Sequence, residues 1–563
     1  MEDGDTRLFK TLQDCGLSIR IPINNVELGT ENLKYPVLLP RDVVISIANK
    51  GFIQKVLGVP LGRAQKSFRD FWKKFQLAFP GHDLCKQGLS ETDFETLIPY
   101  YLHGDGGRTF KKDSILICSM YPALGRGSTK CQVPDMQPGG KPHNTRKRKR
   151  TQEAPMAETD MGVNLLGNSL GNRFLFVAMH NNYVKQNKTV FYDLLELWAK
   201  EMAFLFTDGF RFEGHHFKIA VLGLTGDAPF LRDAGLMNRS FNNIRKSLHA
   251  TSNLPGVCHL CAAGKTNGPH YENLDILNAD WIATTASRNF LPWGEPSPLL
   301  AYLPAEQQNL ANFFKGDLFH IWYAGLGKEF CASSLVFLLQ TVMKQRNKES
   351  SMAFLNDEMR RLQSCRTVET MHFGRFSWDL LDYDGPHSYP KGKWSKGMDT
   401  ANVTKLIETL VSEYLSEHSS GPHGQMLQLI YDGCSSIGEF LRSLFGSGFF
   451  LPQPDAYKAI CAGHSFLLTY MKLAKTSLAS NRSLFKLKPK AHAMAHIVFE
   501  MLVQYKRHPE SVCNPVSFST FMCEDFVGHV ARLSRRVSPR VQGTKVIYRY
   551  LTALKQALSQ EAS

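Results

Sequence analysis

The sequence lacks any apolar run long enough to cross a membrane. Residues 333–343 are apolar but fall well short of the ~18 residues that a spanning helix needs. The opening segment, MEDGDTRLFK, is acidic and lacks the basic and then apolar layout of a signal peptide. We therefore expect no membrane association.

Cysteine is sparse, with 12 residues scattered over a chain of 563. This spacing does not predict a disulfide framework and favours a reducing compartment. The nucleotide-binding glycine motifs are missing as well. The first glycine of a phosphate-binding loop that ends in Gly264-Lys265-Thr266 would fall at His259, and the Gly325-Leu326-Gly327 segment has no third glycine in register.

What is present is a globular composition with excess positive charge. Hydrophobic residues make up 43% and charged residues 21%, and the net charge is +15 with a pI of about 9.2. The length allows two to four domains. This charge favours a polyanionic partner such as DNA.

Residues 123–160 are rich in Pro, Gly, Lys and Arg, have no hydrophobic period, and predict a disordered basic insert. The insert contains an unbroken basic run that comprises Arg146, Lys147, Arg148, Lys149 and Arg150. Such a run is typical of a nuclear-localisation signal or a nucleic-acid patch, although it can also be merely solvated. We expect the nucleus.

Hydrophobic patterns predict strands at 97–105, 114–122, 172–179 and 217–224, with an amphipathic helix at 189–206 before the last strand. Three strands, a helix and a fourth strand ending in an acid predict an RNase H-like α/β core. We expect an α-rich N-terminal region at 1–95, whose basic helix at 62–79 could contact DNA, and the first part of the core at 96–230. A large helical insertion at 231–485, the C-terminal part of the core at 486–540 and a helical tail at 541–563 would follow.

Two pairs of metal-ligand residues lie far apart in the chain. Cys258 and Cys261 form a CxxC pair, and His492 and His496 are spaced i, i+4 on a predicted helix that begins at Pro489. Together they would complete a closed tetrahedral Cys2His2 set, which predicts a structural zinc ion.

Asp105 and Asp227 follow the first and fourth predicted strands, and Glu524 lies in a helical pattern near the C-terminus. An acid after a strand is often only a turn former. On an RNase H-like scaffold, however, three carboxylates would bind two Mg²⁺ or Mn²⁺ ions for in-line phosphoryl transfer.

The order of these motifs resembles the DDE/D-type DNA transposases, in particular the CACTA and Plavaka/KDZ-like groups and the recombination-activating recombinase. The matching segments span about residues 97–540. In order, they are HGDGG at Asp105, GLTGDAP at Asp227, CHLC at Cys258–Cys261, DLFH at Asp317–His320, KPKAHAMAH at 488–496 and CEDFVGHVARLSRRVSP at Glu524.

The resemblance implies phosphodiester hydrolysis and strand transfer on double-stranded transposon ends and target DNA, by a homodimer or higher oligomer. It assigns the two catalytic ions to Asp105, Asp227 and Glu524. Zinc would tie the insertion to the catalytic helix, and the DNA backbone would meet Arg532, Arg535 and Arg536.

Two positions stay open. Asp317, with His320, competes with Asp227 for the second carboxylate, and Asp525 competes with Glu524. Residues 1–95 show no zinc finger of the usual transposase types. A domesticated or decayed transposase-derived DNA-binding protein without catalysis is therefore the alternative function, and a zinc-stabilised helical scaffold is a third.

Overall fold

The computed structural model describes residues 4–86, 88–109, 113–128, 161–244, 253–418, 423–535 and 537–560. It is a mixed α/β protein with a five-stranded sheet, N-terminal helices and a large helical region. The predicted DNA-contacting residues Arg146, Lys147, Arg148 and Arg536 lie outside the described residues. No described helix has the length and apolar character of a bilayer span.

Helices and one hairpin form the N-terminal part. In chain order its elements are α1 (Gly4–Asp14), β1 (Asn24–Leu28), β2 (Leu33–Val37), α2 (Pro40–Ile47), α3 (Ile53–Leu57), α4 (Ala64–Ala78) and α5 (Glu91–Phe94). The basic helix predicted at 62–79 corresponds to α4, which buries an aromatic face that comprises Phe68, Phe71, Trp72 and Phe75. The hairpin of β1 and β2 was not predicted.

The sheet region follows. Its elements are β3 (Leu97–Arg108), β4 (Ser114–Pro122), β5 (Leu124–Gly125), β6 (Gly127–Ser128), β7 (Gly162–Leu165), α6 (Ser169–Asn172), β8 (Phe174–His180), α7 (Asn181–Gln186), α8 (Lys188–Thr207), β9 (Phe210–Phe212), β10 (His215–Gly226) and α9 (Ala228–Ala234). The four predicted core strands and the helix before the last of them are confirmed. The prediction of disorder from residue 123 is wrong at 123–128, where β5 and β6 pair with β7.

The main sheet has the strand order β8-β4-β3-β10-β9. β4 pairs antiparallel with both β3 and β8, whereas β10 pairs parallel with β3 in a register that places Gly226 opposite Gly104. β9 covers only the start of β10. At the end of β10, Phe314 forms a parallel bridge with Leu224, so the segment that leads to Asp317 adds a short edge there.

The remainder is mostly helical. Its elements are α10 (Pro298–Tyr302), α11 (Gly327–Gln340), α12 (Lys348–Ser364), α13 (Trp378–Leu381), α14 (Gly397–His418), α15 (Gly424–Phe445), β11 (Phe450–Leu451), α16 (Gln453–Ala479), α17 (Pro489–Arg507), β12 (Val512–Cys513), α18 (Phe521–Ser534) and α19 (Gln542–Gln560). The helical insertion predicted at 231–485 contains the helices α10 to α16.

Two hydrophobic cores hold the molecule together. One joins the N-terminal helices, the sheet, α18 and α19. The other joins α11 to α17 with the CxxC loop. Helix α19 belongs to the sheet core, because the Tyr550 hydroxyl is buried and accepts a hydrogen bond from the backbone N–H of Leu175 in β8. The start of α18 also contacts the helical region, because the Phe521 ring packs against those of Phe319, Tyr323 and Phe445.

Helix α18 lies close against strand β3, and Gly107 permits the approach. A Cβ atom at Gly107 would lie 2.7 Å from the Cβ atom of Ala531, which is closer than ordinary contact. By contrast, a Cβ atom at Gly528 in α18 would meet only the Arg532 guanidinium, at 3.5 Å. Position 107 therefore has no space for a side chain, whereas position 528 does.

We predict that Gly107→Ala lowers the free energy of unfolding by about 1–3 kcal/mol, because overpacking displaces α18. Gly528→Ala, the matched control, should raise it by up to ~1 kcal/mol, because alanine is the better helix former. Denaturant unfolding followed by circular dichroism measures both changes. Equal effects of the two substitutions would contradict this packing.

Candidate catalytic and metal-binding sites

Asp105 and Asp227 lie side by side at one edge of the sheet. Asp105 is in β3, one residue beyond Gly104, and is only 9% exposed. Asp227 directly follows Gly226, the partner of Gly104 in the parallel register. The Asp227 Oδ1 atom accepts a hydrogen bond of 2.8 Å from the N–H of Phe230 and so caps α9. Asp227 is therefore a helix cap as well as a neighbour of Asp105.

Glu524 reaches the same edge from the first turn of α18, which packs over β3. Its Oε1 atom lies 3.4 Å from Nε2 of His320. The competing acid, Asp525, is directed elsewhere, since its Oδ2 atom accepts a 2.6 Å hydrogen bond from the Ser169 hydroxyl. Of these two neighbouring acids, Glu524 is the one that lies with Asp105.

The electrostatics of the three acids reflect their proximity. Burial raises the pKa of Asp105 to about 8, and the negative charges of Glu524 and Asp227 add to this shift. Burial also raises the pKa of Glu524; the neighbouring His320 lowers it, while the charges of Asp317 and Asp227 raise it further. Burial and mutual repulsion thus favour the protonated form of Asp105, and ionising all three acids together requires a positive charge close to them.

Asp317, the competing second acid, is saturated by hydrogen bonds. Its Oδ1 atom accepts from the N–H groups of Phe319 and Thr520, both at 2.9 Å, and from the Ser519 hydroxyl. Its Oδ2 atom accepts from the His320 N–H, from His320 Nδ1 at 2.6 Å and from the Thr520 hydroxyl at 2.5 Å. With both oxygen atoms engaged, Asp317 orients His320 and ties its turn to the start of α18.

His320 is a cationic group that lies beside the acids. Burial lowers its pKa, but the hydrogen bond and the charge of Asp317 outweigh burial, and the pKa rises to about 9. Its two ring nitrogens therefore face two carboxylates, Asp317 through Nδ1 and Glu524 through Nε2. If Asp105, Asp227 and Glu524 were all ionised, the single positive charge of this imidazolium would balance only part of their negative charge.

Whether the three acids could hold divalent cations depends on how their oxygen atoms are engaged and spaced. The Oε1 atom of Glu524 is buried and makes no hydrogen bond among the described residues, although Nε2 of His320 lies 3.4 Å away as an ion-pair partner. A carboxylate oxygen without a hydrogen bond, beside the buried Asp105, suits a hard cation. The three acids are less tightly gathered than a single-ion site, because in the described chain only the Cys–His set brings its ligand atoms within 4.8 Å of one another. Carboxylates that share two ions need not converge on one point.

The Cys–His set is a compact and buried cluster that could hold a metal ion such as zinc. Sγ of Cys261 lies 3.3 Å from Nε2 of His492 and 3.2 Å from Nε2 of His496. All four residues, including Cys258, are buried. The predicted joining of the two pairs, which lie more than 200 positions apart in the sequence, is confirmed as geometry.

The loop around the cysteines favours thiolates. The N–H groups of Leu260 and Ala263 donate to Sγ of Cys258 and Cys261, at 3.3 and 3.4 Å. The pKa of Cys258 is lowered by Cys261 and the two histidines although burial opposes this, and the pKa of Cys261 is raised by burial and by the charge of Cys258. The first thiolate therefore forms readily, and a cation would be needed to hold the second.

Aromatic packing orients the two imidazoles. The Trp281 ring centroid lies 5.0 Å from that of His492 and 4.4 Å from that of His496. Nδ1 of His492 is buried without a hydrogen-bond partner in the described chain. Packing against Trp281 therefore fixes the His492 ring with its Nε2 atom towards the cysteines.

The predicted DNA-contacting arginines Arg532 and Arg535 are both exposed. Arg532 lies in the last turn of α18, about 12 Å along the helix from Glu524, and Arg535 directly follows the end of the helix. The guanidinium of Arg549 donates to the carbonyl groups of Leu533 and Arg535 and fixes this end of the helix.

Lys490 is a site residue that sequence analysis passed over. Its Nζ atom donates to the His320 carbonyl at 3.0 Å, and a Cβ atom at Gly325 would lie 2.4 Å from the lysine Cδ atom. The only available signal was its position two residues before His492 in the KPKAHAMAH segment. Lys490 thus links the histidine-bearing helix to the His320 turn.

Compared with models of known protein families and with curated proteins, the sequence matches none of them.

We predict that the purified chain binds one zinc ion and that Cys261→Ser abolishes this binding, because Sγ of Cys261 contacts both histidines. Elemental analysis of the metal content measures the loss. Cys365→Ser, at an exposed cysteine, is the matched control and should leave the zinc content unchanged. Zinc retained at wild-type level by Cys261→Ser would contradict the assignment.

We predict that Asp317→Asn lowers the free energy of unfolding by about 3 kcal/mol near pH 6, because it breaks a buried ion pair. The pKa of Asp317 is lowered from 3.8 by hydrogen bonds and by the charge of His320, although burial opposes this, so its stabilisation is complete above pH 3.8. The contribution of His320 to the free energy of unfolding is fully present below its ordinary pKa of 6.5. It is lost as the pH rises through its folded-state pKa of about 9.

The difference in the free energy of unfolding between the wild type and Asp317→Asn should therefore become smaller as the pH rises from about 6 to about 10. Denaturant titrations at both pH values measure it, with Asp525→Asn as the control at an exposed acid. A difference that does not change with pH would contradict the Asp317–His320 pairing.

Proposed function

We propose that this protein is a DNA transposase-like enzyme that hydrolyses a phosphodiester bond and transfers the resulting strand, using divalent cations held by Asp105, Asp227 and Glu524. The observation that carries the proposal is the meeting of these three carboxylates. They come from segments more than 100 residues apart, and the parallel register and the packing of α18 bring them to one edge.

The topology supports an RNase H-like core. Strands β3, β4 and β8 form an antiparallel set, and β10 returns parallel to β3 after α8. The resulting order of the four long strands is third, second, first, fourth. This order makes β3 and β10 parallel neighbours. Their C-terminal ends therefore lie at the same edge of the sheet, which brings Asp105 and Asp227 together.

Mg²⁺ or Mn²⁺ would supply charge neutralisation and activation of an oxygen nucleophile. The residues of the chain would supply the ligands of these ions and one further positive charge. Asp105 offers carboxylate oxygens from a buried position, Glu524 from a half-buried one, and Asp227 from the capped start of a helix. His320, oriented by Asp317, places a positive charge beside Glu524, where it can contact a phosphate oxygen.

A structural zinc ion at Cys258, Cys261, His492 and His496 fits this scheme. The cysteines follow α9, which Asp227 caps, and the histidines lie on α17, which precedes the helix of Glu524. Zinc would therefore fix the Asp227 side of the cluster relative to the Glu524 side.

Double-stranded DNA is the proposed substrate. The net charge of +15 supports a polyanionic partner. Arg532, on the same helix as Glu524, and Arg535, directly after that helix, present exposed guanidinium groups. A nuclear location and a homodimer or higher oligomer, which would join two DNA ends, are parts of the same proposal.

A transposase-derived DNA-binding protein without catalysis is the second candidate. The observation that favours it is that the three acids do not gather their oxygens as closely as the Cys–His set does. Such a protein would retain DNA binding that weakens steeply with salt. It would show no metal-dependent cleavage.

We predict that the protein nicks supercoiled DNA in the presence of Mn²⁺. Asp105→Asn, Asp227→Asn and Glu524→Gln should each reduce the rate by about 100-fold or more, as loss of one preorganised charged group does. Asp525→Asn, directly beside Glu524, is the matched control and should retain activity. The rate of conversion of supercoiled to open-circular DNA is the readout.

Zinc content and DNA affinity should be equal in all five proteins. No cleavage by any of them, with DNA still bound, would establish the non-catalytic candidate. Equal cleavage by all five would contradict the assignment of the acids.

A further inference from the structure

A cavity of about 350 Å³ lies between the acidic cluster and the Cys–His cluster. Its lining includes Asp227 and His320 from the acidic cluster and His496 and Glu500 from α17. Its volume falls at the low end of small-molecule binding sites, which span ~300–1,000 Å³. Of this lining, the proposed catalytic chemistry uses Asp227, His320 and Asp317.

Lys315 is a buried residue of the cavity wall. It is only 9% exposed, and within the described part of the chain its Nζ atom makes neither a hydrogen bond nor an ion pair. Its Nζ atom lies 5.6 and 6.0 Å from the ring centroids of Phe79 and Phe518, which also line the cavity. Glu306 and Glu500 act on its charge from beyond ion-pair distance. An ammonium group in this position is available to an anionic ligand.

The charges of the wall also favour an anion. Besides the His320 imidazolium, which is paired with Asp317, the cationic side chains that line the cavity are those of Arg232, Arg239, Lys315 and Lys490. The carboxylates in the wall are Asp227, Asp317 and Glu500, and that of Asp317 is paired with His320. The rest of the wall is largely apolar, with Phe241 and Met501 among its side chains. Such a surface suits a ligand with one anionic group and a planar, weakly polar body.

We propose that this cavity is a binding site for a single nucleotide unit, with its phosphate at Lys315 and its base against the apolar wall. Two sources share this chemistry. One is a free mononucleotide. The other is a nucleotide displaced from a DNA strand held at the neighbouring acids, and only this second source rests on the proposed function.

Isothermal titration of the zinc-loaded full chain with deoxyadenosine monophosphate tests the free source. Lys315→Met should weaken binding by about tenfold or more, because a charge-assisted contact is lost while the length of the side chain is kept. Lys472→Met, at an exposed lysine of α16, is the matched control and should bind as the wild type does. Ala493→Leu, which fills the cavity from the wall, should also weaken binding and serves as a second variant if Lys315→Met does not fold.

Fluorescence of a DNA duplex with 2-aminopurine beside a nick tests the strand-borne source. Emission should rise on binding to the wild type and to Lys472→Met but not to Lys315→Met. A signal in either arm with this dependence on Lys315 supports the proposal and identifies the source.

Three results would overturn the proposal. The first is no binding in either arm, the second is equal binding by Lys315→Met and wild type, and the third is binding of inorganic phosphate as tight as that of the nucleotide. Because the titration needs neither Mn²⁺ nor cleavage, its result is independent of the nicking assay. Failure of nicking with nucleotide binding intact would count against the proposed function alone.

Discussion

The mutual repulsion of the carboxylates of Asp105, Asp227 and Glu524 is the constraint that the surrounding structure has to withstand. Burial and neighbouring charge raise the pKa of Asp105 to about 8, so ionising all three acids together carries a cost in the free protein. Such clusters persist when their positions are fixed by well-packed elements. Here a parallel strand pair, a capped helix and a helix packed on a glycine-lined strand fix them.

The helical region is fastened to this cluster at several independent points. Asp317 binds the turn of His320 to the start of α18, and Lys490 binds the same turn to α17. The Cys–His cluster joins α17 to the loop that follows α9. A group bound in the cavity enclosed by these contacts would therefore sit against elements from both sides of the acidic cluster.

The elements with strong local patterns could be predicted from the sequence. The four core strands, α8, the buried face of α4 and the HxxxH helix beginning at Pro489 all follow from hydrophobic periodicity or from helix-start residues. The Cys2His2 set was predictable because its ligand types and spacings are specific. The order of the acids along the chain identified them as candidates.

The contacts made through tertiary structure were not predictable from local patterns. The hydrogen bonds between Asp317 and Thr520 join residues about 200 positions apart, so the sequence left Asp227 and Asp317 as alternatives. The choice between Glu524 and Asp525 depends on which face of α18 packs on β3. Local patterns also do not show that the Lys490 side chain passes close to Gly325. Nor do they show that the Nζ atom of Lys315 lies in the cavity wall without a hydrogen-bond or ion-pair partner in the described chain.

The most direct measurement of the central claim is anomalous diffraction from crystals of the protein soaked in Mn²⁺. The account predicts two manganese peaks, about 3.5–4 Å apart, between the carboxylates of Asp105, Asp227 and Glu524. A separate zinc peak should appear at Cys258, Cys261, His492 and His496. A zinc peak with no manganese at the three acids would contradict the proposed catalytic centre.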